Sequence, residues 1–260
     1  MTITPDLSGK TAVITGASRG IGEESARYLA TLGAHVVLAA RSESRIATIA
    51  GEIIAAGGAA TAFPTDVSDN NAVKGLIQHA VVETGRLDIL VNNAGVIDPI
   101  ARIMDSDPDA WSKVMDVNIK GVYFGLRHAM PIMAAQDSGG TIINISSGAA
   151  NSFLEGWSHY CASKAAVLRL TGVAHKEAHD QGVRVVGLSP GTVATKMQEQ
   201  IRESSINPVS QIPWEKHITP DWVAKAIAFL TTDGADKWLG TDFSLKVDEG
   251  REAVGMPLDG

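Results

Sequence analysis

The feature that most limits what this chain can fold into is a regular alternation of two kinds of segment. Short apolar runs rich in β-branched residues stand at Ala12 to Thr15, His35 to Leu38, Ile89 to Val91, Thr141 to Ile145, Val183 to Leu188 and Phe243 to Val247. Such runs read as strands buried on both faces. Between them lie Ile21 to Leu32, Glu43 to Ala56, Asn70 to Thr84, Pro108 to Ala135, Ser158 to His179 and Asp221 to Leu230, longer and amphipathic, which read as helices. Alternation at this spacing implies βαβ units, hence a parallel sheet covered by helices on both faces. The pattern predicts one doubly wound α/β domain spanning residues 1–260. Punctuation agrees with the cuts: Asp107-Pro108 is a helix start, Gly33 follows the first helix, and Gly139-Gly140 precedes a strand. The stretch from Thr192 to Pro220 breaks the rhythm and carries Pro208 and Pro213. Long irregular excursions in compact domains are usually functional, so residues 192–220 are expected to form short helices and loops over a substrate.

Charge and composition exclude several classes of function. A net charge of -7 with no run of Lys and Arg disfavours nucleic acid and anionic membrane as partners. No apolar stretch approaches the ~18 residues of a spanning helix, and the N-terminus lacks the charged start and long apolar core of a secretory signal. The single cysteine, Cys161, has no intrachain partner, which suits a reducing compartment. A cytoplasmic, soluble protein is the expectation. No metal is expected: His175 and His179 lie one helical turn apart, but Glu177 does not stand where a metalloprotease motif needs it, and a solvated helix face accounts for them.

The first strand runs into Thr15-Gly16-Ala17-Ser18-Arg19-Gly20-Ile21-Gly22, and the helical pattern begins at once. Strand, glycine turn and helix in that order make a phosphate site, because glycine lets backbone approach a pyrophosphate and the helix start offers free amides and positive potential. A tight connection with no ligand is the alternative, and the glycine spacing departs from G-x-G-x-x-G. The second strand ends in Ala40-Arg41, where an NAD site often carries an acidic residue. Arg41 and Arg19 suit the 2′-phosphate of NADP. NADP(H) is therefore the expected cofactor, with NAD(H) the alternative if both arginines are only solvated charges.

Asn92-Asn93-Ala94-Gly95 closes the next strand of the pattern at the carboxyl edge where doubly wound proteins bind ligands, and Ser146-Ser147 closes the one after it. The following helix opens with Tyr160-Cys161-Ala162-Ser163-Lys164, placing Tyr160 and Lys164 one turn apart on one face. At pH 7 only on the order of one free tyrosine in a thousand is phenolate. A neighbouring ammonium favours that form, so the pair can move a proton to or from an oxygen while a nicotinamide exchanges hydride with the attached carbon, with Ser147 holding the oxygen. Taken alone, such a pair is ordinarily an exposed helix pair.

Together these residues resemble the short-chain dehydrogenase/reductase family in its single-domain form. The resemblance rests on Thr15-Gly16 to Gly22, Asn92 to Gly95, Asn118, a serine thirteen residues before Tyr160, Tyr160-x-x-x-Lys164, and Pro190-Gly191 followed by Val193 and Thr195. It implies a Rossmann-type sheet of seven parallel strands and a catalytic set of Asn118, Ser147, Tyr160 and Lys164, with Asn118 holding a water that links Lys164 to solvent. It further implies cofactor contacts from Gly16, Ser18, Arg19, Gly20, Ile21, Gly22, Arg41, Asp66, Val67, Asn92, Ala94, Gly95, Tyr160, Lys164, Pro190, Gly191, Val193 and Thr195. Asp66 would meet the adenine, and Val193 and Thr195 the carboxamide. Serine-to-tyrosine spacing in the family selects Ser147 over Ser146.

Phe153, Trp157, Met197 and Trp214 flank these segments and are candidates for the wall of an apolar pocket taking a small-molecule carbonyl or alcohol substrate; core packing is the other reading. The resemblance also implies a homotetramer, or a homodimer, through the helices Pro108 to Ala135 and Ser158 to His179. Cys161 reads as a buried structural thiol, and His159, on a different face from Tyr160, receives no role. The rival to an enzyme is a non-catalytic dinucleotide-binding sensor or scaffold, which has no need of Ser147, Tyr160 and Lys164.

Overall fold

Seven strands form the centre of the molecule in a computed structural model that describes residues 4–258. They are β1 (Thr11–Thr15), β2 (His35–Ala40), β3 (Ala59–Pro64), β4 (Ile89–Asn92), β5 (Gly140–Ile145), β6 (Val183–Ser189) and β7 (Asp242–Ser244). Their order is β3-β2-β1-β4-β5-β6-β7, and every neighbouring pair is parallel. The chain builds outward from β1 in one direction, then returns and builds outward from β4 in the other. That reversal opens a crevice at the carboxyl ends of β1 and β4.

Side-chain alternation splits the strands' apolar residues between two cores. Ala12, Ile14, Val36, Leu38, Ile89, Val91, Ile143 and Leu188 pack with α1 (Gly20–Thr31), α2 (Glu43–Ala55) and α8 (Pro220–Leu230). Val13, Val37, Leu90, Ile142 and Val185 pack with α3 (Asn70–Thr84), α5 (Gly121–Ala134) and α6 (Ser158–Ala178). Because both faces are covered, the strands read as continuous apolar runs. The predicted helix start holds, with Asp107 Oδ1 accepting from Ala110 N–H at 2.7 Å ahead of Pro108, and Asp69, which the sequence reading did not single out, caps α3 likewise, its Oδ1 accepting from Asn71 N–H at 2.7 Å.

Two boundaries differ from the sequence reading, and one strand is absent from it. Strand β3, Ala-Ala-Thr-Ala-Phe-Pro, has one β-branched residue and lies at the sheet edge, so its apolar pattern is weak. The last strand covers Asp242–Ser244 rather than reaching Val247, because Lys246 N–H turns back to Ser244 Oγ at 3.2 Å and α9 (Asp248–Ala253) follows. The expected helix from Pro108 to Ala135 is α4 (Pro108–Met115), a π-helical turn at Asp116–Lys120, and α5, which contains Pro131. Residues 192–220 form α7 (Lys196–Ser204) and two short 3-10 turns at Pro208–Gln211 and Trp214–Lys216. Among the described residues, no helix is long and apolar enough to cross a membrane, and no cluster of three metal-ligating side chains occurs.

Candidate active site

The glycine turn is packed too tightly for side chains. A methyl on Gly16 would lie 2.9 Å from Ala94 Cα, and one on Gly22 only 2.4 Å from the Gly16 carbonyl oxygen. Gly16 and Gly20 also have φ of 66° and 58°, where glycine is favoured. Asn93 fastens the turn to β4: its Nδ2 donates to Thr15 O at 2.8 Å and Gly16 O at 3.3 Å. Thr15 Oγ1 in turn accepts from Asn93 N–H at 3.0 Å and Ala94 N–H at 3.1 Å. Sequence reasoning passed over Asn93 in favour of Asn92, whose Nδ2 instead donates to Asn144 Oδ1 at 2.9 Å inside the sheet. Arg19, the residue preceding α1, makes no side-chain cap. The first amides of a three-turn helix therefore meet a glycine cradle with no side chain bonded to them among the described residues, an arrangement that fits a dinucleotide pyrophosphate.

Around this cradle stand the other predicted cofactor residues. Arg19 and Arg41 are exposed, and Ser18 and Ile21 are half-buried. Asp66 Oδ1 accepts from the hydroxyl and the backbone N–H of Ser68, at 2.7 and 3.0 Å, and these bonds, with Arg41 nearby, hold its carboxyl below the ordinary range. Val67 is buried against Gly121 at the start of α5. A third arginine escaped the sequence reading: Arg45 Nε donates to Ser18 O at 3.4 Å while its Nη2 grips both oxygens of Glu23 at 3.0 Å. Its signal was the spacing Arg41-x-x-x-Arg45 across the start of α2. On the far wall, Pro190 is buried, Gly191 has φ of 79°, and Val193 bridges to Ile218. Thr195 Cγ2 would lie 3.3 Å from a methyl on Gly20, so the start of α7 closes onto the glycine turn.

Asn118, Ser147, Tyr160 and Lys164 are arranged on the ends of β4 and β5. Asn118 sits in the π turn and clamps Val96, its Oδ1 accepting from the backbone N–H and its Nδ2 donating to the carbonyl, both at 2.9 Å. Its Nδ2 also donates to Ser163 Oγ at 3.1 Å. Gly95 lies between Asn118 and Lys164: a methyl on it would be 3.5 Å from Asn118 Oδ1 and 3.9 Å from Lys164 Nζ. Lys164 Nζ donates to Ile145 O at 2.7 Å and lies 5.6 Å from the Tyr160 ring centroid. Burial lowers the Lys164 ammonium to about 8, against Asp242, which pulls it up. Burial pushes the Tyr160 phenol up to about 12, and a hydrogen bond from Ser147 pulls the other way. At neutral pH the group thus holds a protonated phenol and a buried ammonium near its ring, a set able to pass a proton to a carbonyl oxygen.

The candidate pocket residues divide. Trp157 is buried with its ring edge-on to Tyr160 at 5.5 Å, and Met197 packs on the same cluster of Ile97, Ala149, Tyr160 and Ile201. Trp214 is partly exposed beside His217 at 5.1 Å between ring centroids. Phe153 is fully exposed. Cys161 is half-buried at the edge of the Tyr160 cluster rather than enclosed. His159 is buried, its Nε2 bonded to Ile97 O at 2.5 Å. Helix α7 is tied across the crevice mouth where Gln200 Nε2 donates to Asp98 Oδ2 at 2.5 Å, and the loop after it where Asn207 Nδ2 donates to Glu155 O at 2.9 Å.

Comparison with known proteins bears on this arrangement. Residues 10–206 match the family model described as short chain dehydrogenase. A 3-oxoacyl-[acyl-carrier-protein] reductase from Synechocystis sp. is 37% identical over 94% of this chain and 97% of its own. A 3beta-hydroxysteroid dehydrogenase from Eggerthella lenta is 34% identical over 89% of this chain and 91% of its own. A crystal structure of a short-chain type dehydrogenase/reductase from Mycobacterium marinum superposes with a TM-score of 0.84 at 33% identity, covering 92% of this chain and 94% of that one. That family's oxidoreductases use nicotinamide dinucleotides, which the glycine cradle fits, and with sequence, sheet order and crevice in agreement this chain belongs to the short-chain dehydrogenase family.

Proposed function

We propose that the protein is an NADP(H)-preferring oxidoreductase that interconverts a carbonyl compound and its alcohol, with Tyr160 as the proton-transfer group. One observation carries the reading: Lys164 Nζ, buried and donating to Ile145 O at 2.7 Å, sits 5.6 Å from the centre of the Tyr160 ring. When bound, the nicotinamide supplies or accepts the hydride. The chain's own residues do the rest. Tyr160 gives its proton to the substrate oxygen in reduction or takes it in oxidation, Ser147 orients that oxygen, and the Lys164 charge lowers the cost of phenolate. Asn118, in the π turn beside Gly95, holds the Lys164 end of the site in register and serves the relay to solvent. Arg19 and Arg41 receive the 2′-phosphate, and Arg45 supports them by holding Ser18. The relatives named as an oxoacyl reductase and a hydroxysteroid dehydrogenase both act, by those names, at a carbonyl–alcohol pair. Trp157 and Met197, beside Tyr160, support an apolar substrate under residues 192–220. Tyr123 and Val173, exposed on α5 and α6, support assembly of a homotetramer through those helices; a monomeric mass in solution refutes it.

The test is oxidation of NADPH and NADH across a panel of aldehydes, ketones, diketones and quinones, with Tyr160→Phe beside the wild type. Turnover favouring NADPH, with a loss of about 100-fold or more in the variant and cofactor affinity unchanged, is the expected result. Cofactor binding without turnover on every compound would move the reading to a sensor.

A further inference from the structure

One level of the sheet is polar from β4 to its edge. The register that pairs Asn92 with Asn144 continues from Asn144 to Gly187 and from Gly187 to Asp242. This level lies on the α5 and α6 face, since Leu90, Ile142 and Val185, two residues before the first three, belong to that core, while Phe243, next to Asp242, belongs to the opposite one. Asn92 donates to Asn144, and Asn144 Nδ2 donates to Thr171 Oγ1 of α6 at 2.9 Å. At Gly187 the row has a gap. A methyl there would lie 2.0 Å from Asp242 Oδ1, so the carboxyl of β7 occupies the side-chain space of β6.

In that space the carboxyl has few partners. Its Oδ2 accepts from Ser146 Oγ at 2.9 Å, just past β5 and two residues on from Asn144, while Oδ1 is buried with no hydrogen-bond partner among the described residues. A buried carboxylate so poorly solvated needs a nearby positive charge. Lys164 of α6 reaches the same point of the sheet, its Nζ donating to the carbonyl of Ile145, the residue before Ser146, and its charge pulls the carboxyl down. The other charged and titratable groups around it are otherwise placed. Arg184 of β6 pairs with Asp233 and Asp236, His175 of α6 packs on Gly240, Lys246 is exposed with its stem on Gly191, and Tyr160 lies beyond Lys164. Conversely, the bond from Lys164 to Ile145 O and its place over the Tyr160 ring supply only partial charges to a buried ammonium.

We propose that Asp242 is a positioning residue of the proton-transfer site: admitted by Gly187 and held by Ser146, its carboxylate is the counter-charge that keeps the buried Lys164 an ammonium ion. The proposal rests on the reading of Tyr160 and Lys164 as the proton-transfer pair. Burial pushes Asp242 up to about 6, against Ser146 and Lys164, and lowers Lys164 to about 8, against Asp242. Between these values both groups are ionised. Removing the anion makes Lys164 lose its proton at lower pH.

Asp242→Asn keeps the shape and an acceptor for Ser146, so it isolates the charge. Two readouts are paired: the pH profile of kcat/KM, and a nitrogen-15 titration of the lysine side chains, with the Lys164 signal assigned by its loss in Lys164→Arg. In Asp242→Asn, the Lys164 midpoint and the alkaline limb are both expected to move down by about 1 pH unit or more. Ser146→Ala, which weakens the hold on the ionised carboxylate, shifts them the same way by less, and decides the matter should Asp242→Asn fail to fold. A Lys164 midpoint that stays in place while the melting temperature falls would overturn the proposal and leave Asp242 as a brace of the sheet edge. Activity surviving in Tyr160→Phe would instead sink the underlying reading, and the nitrogen titration would still report whether Asp242 and Lys164 are coupled.

Discussion

Replacing Gly22 with alanine tests whether the turn after β1 is a cradle whose shape matters or merely a connection. The added methyl would sit 2.4 Å from Gly16 O and 2.6 Å from Asn93 Nδ2. Both are closer than a carbon tolerates, by about 1 Å for the carbonyl. Neither neighbour is a free side-chain end: the carbonyl is backbone of the turn, and the Asn93 amide is tied to Thr15 O at 2.8 Å. Relief therefore requires moving the turn relative to α1, and overpacking of this kind costs roughly 1–3 kcal/mol. The moved atoms are those that would meet the pyrophosphate. If the strain falls on binding, the NADPH dissociation constant rises by roughly 5- to 150-fold. Gly51→Ala is the matched control: it lies within α2 with nothing within 4 Å of the new methyl, and it should raise stability by roughly 0.5–1 kcal/mol. Isothermal titration calorimetry with NADPH, beside guanidinium unfolding, reads both effects. Gly22→Ala binding NADPH within about twofold of wild type would refute the cradle, because the clash is with atoms of the turn itself.

Two further outcomes follow from buried polar groups. Asn144→Leu strands Asn92 Nδ2 without its acceptor and Thr171 Oγ1 without its donor; chemical unfolding should register a loss of about 2–4 kcal/mol, and a loss below about 0.5 kcal/mol would mean the row is dispensable. Burial alone would raise Asp88, but Arg86, the Thr11 N–H and Lys10 together outweigh it and hold the carboxyl below its ordinary 3.8. A depressed folded-state value gives stability that is present above pH 3.8 and lost as pH falls through the folded-state value. Asp88→Asn should lose about 2 kcal/mol at pH 7 and show a flatter acid-unfolding profile below pH 4; a profile parallel to wild type would exclude the linkage.

Legibility of the sequence followed the strength of each local signal. Strands buried on both faces announced themselves as unbroken apolar runs, and six of the seven did so. The exception, Ala59–Pro64, packs one edge only and uses alanines, which carry no strand signature of their own. Motifs contiguous in sequence, such as Gly16 to Gly22 and Tyr160 to Lys164, led directly to neighbouring positions in space. Residues whose place depends on long-range register did not. Asp242 meets Ser146 across 96 positions of sequence, and only pairing of β5, β6 and β7 brings them together. The choice between Asn92 and Asn93 illustrates the same limit, for strand alternation sends one into the sheet and the other to the glycine turn, and the phase of that alternation is set by the structure. Phe153 and Trp157 are both aromatic and close in sequence, yet the first faces solvent and the second the Tyr160 ring; an irregular loop has no period from which to tell them apart.

The π turn at Asp116–Lys120 puts the two halves of the long helix out of phase by a residue. An α-helix turns about 100° per residue, and the wider turn absorbs one extra residue with little net change in direction, so that Val122, Leu126, Ala129 and Met133 face the core and Gly125, whose missing side chain makes room for Asn92, lies over the sheet. Tightening the turn to α-helix with the residue count kept would swing α5 by that angle and carry these side chains off the core. The irregular turn is thus a phase marker: a chimera that borrows either half of this helix from a relative must keep the wide turn and its extra residue together, or drop both together, or it will join two helices that disagree in direction.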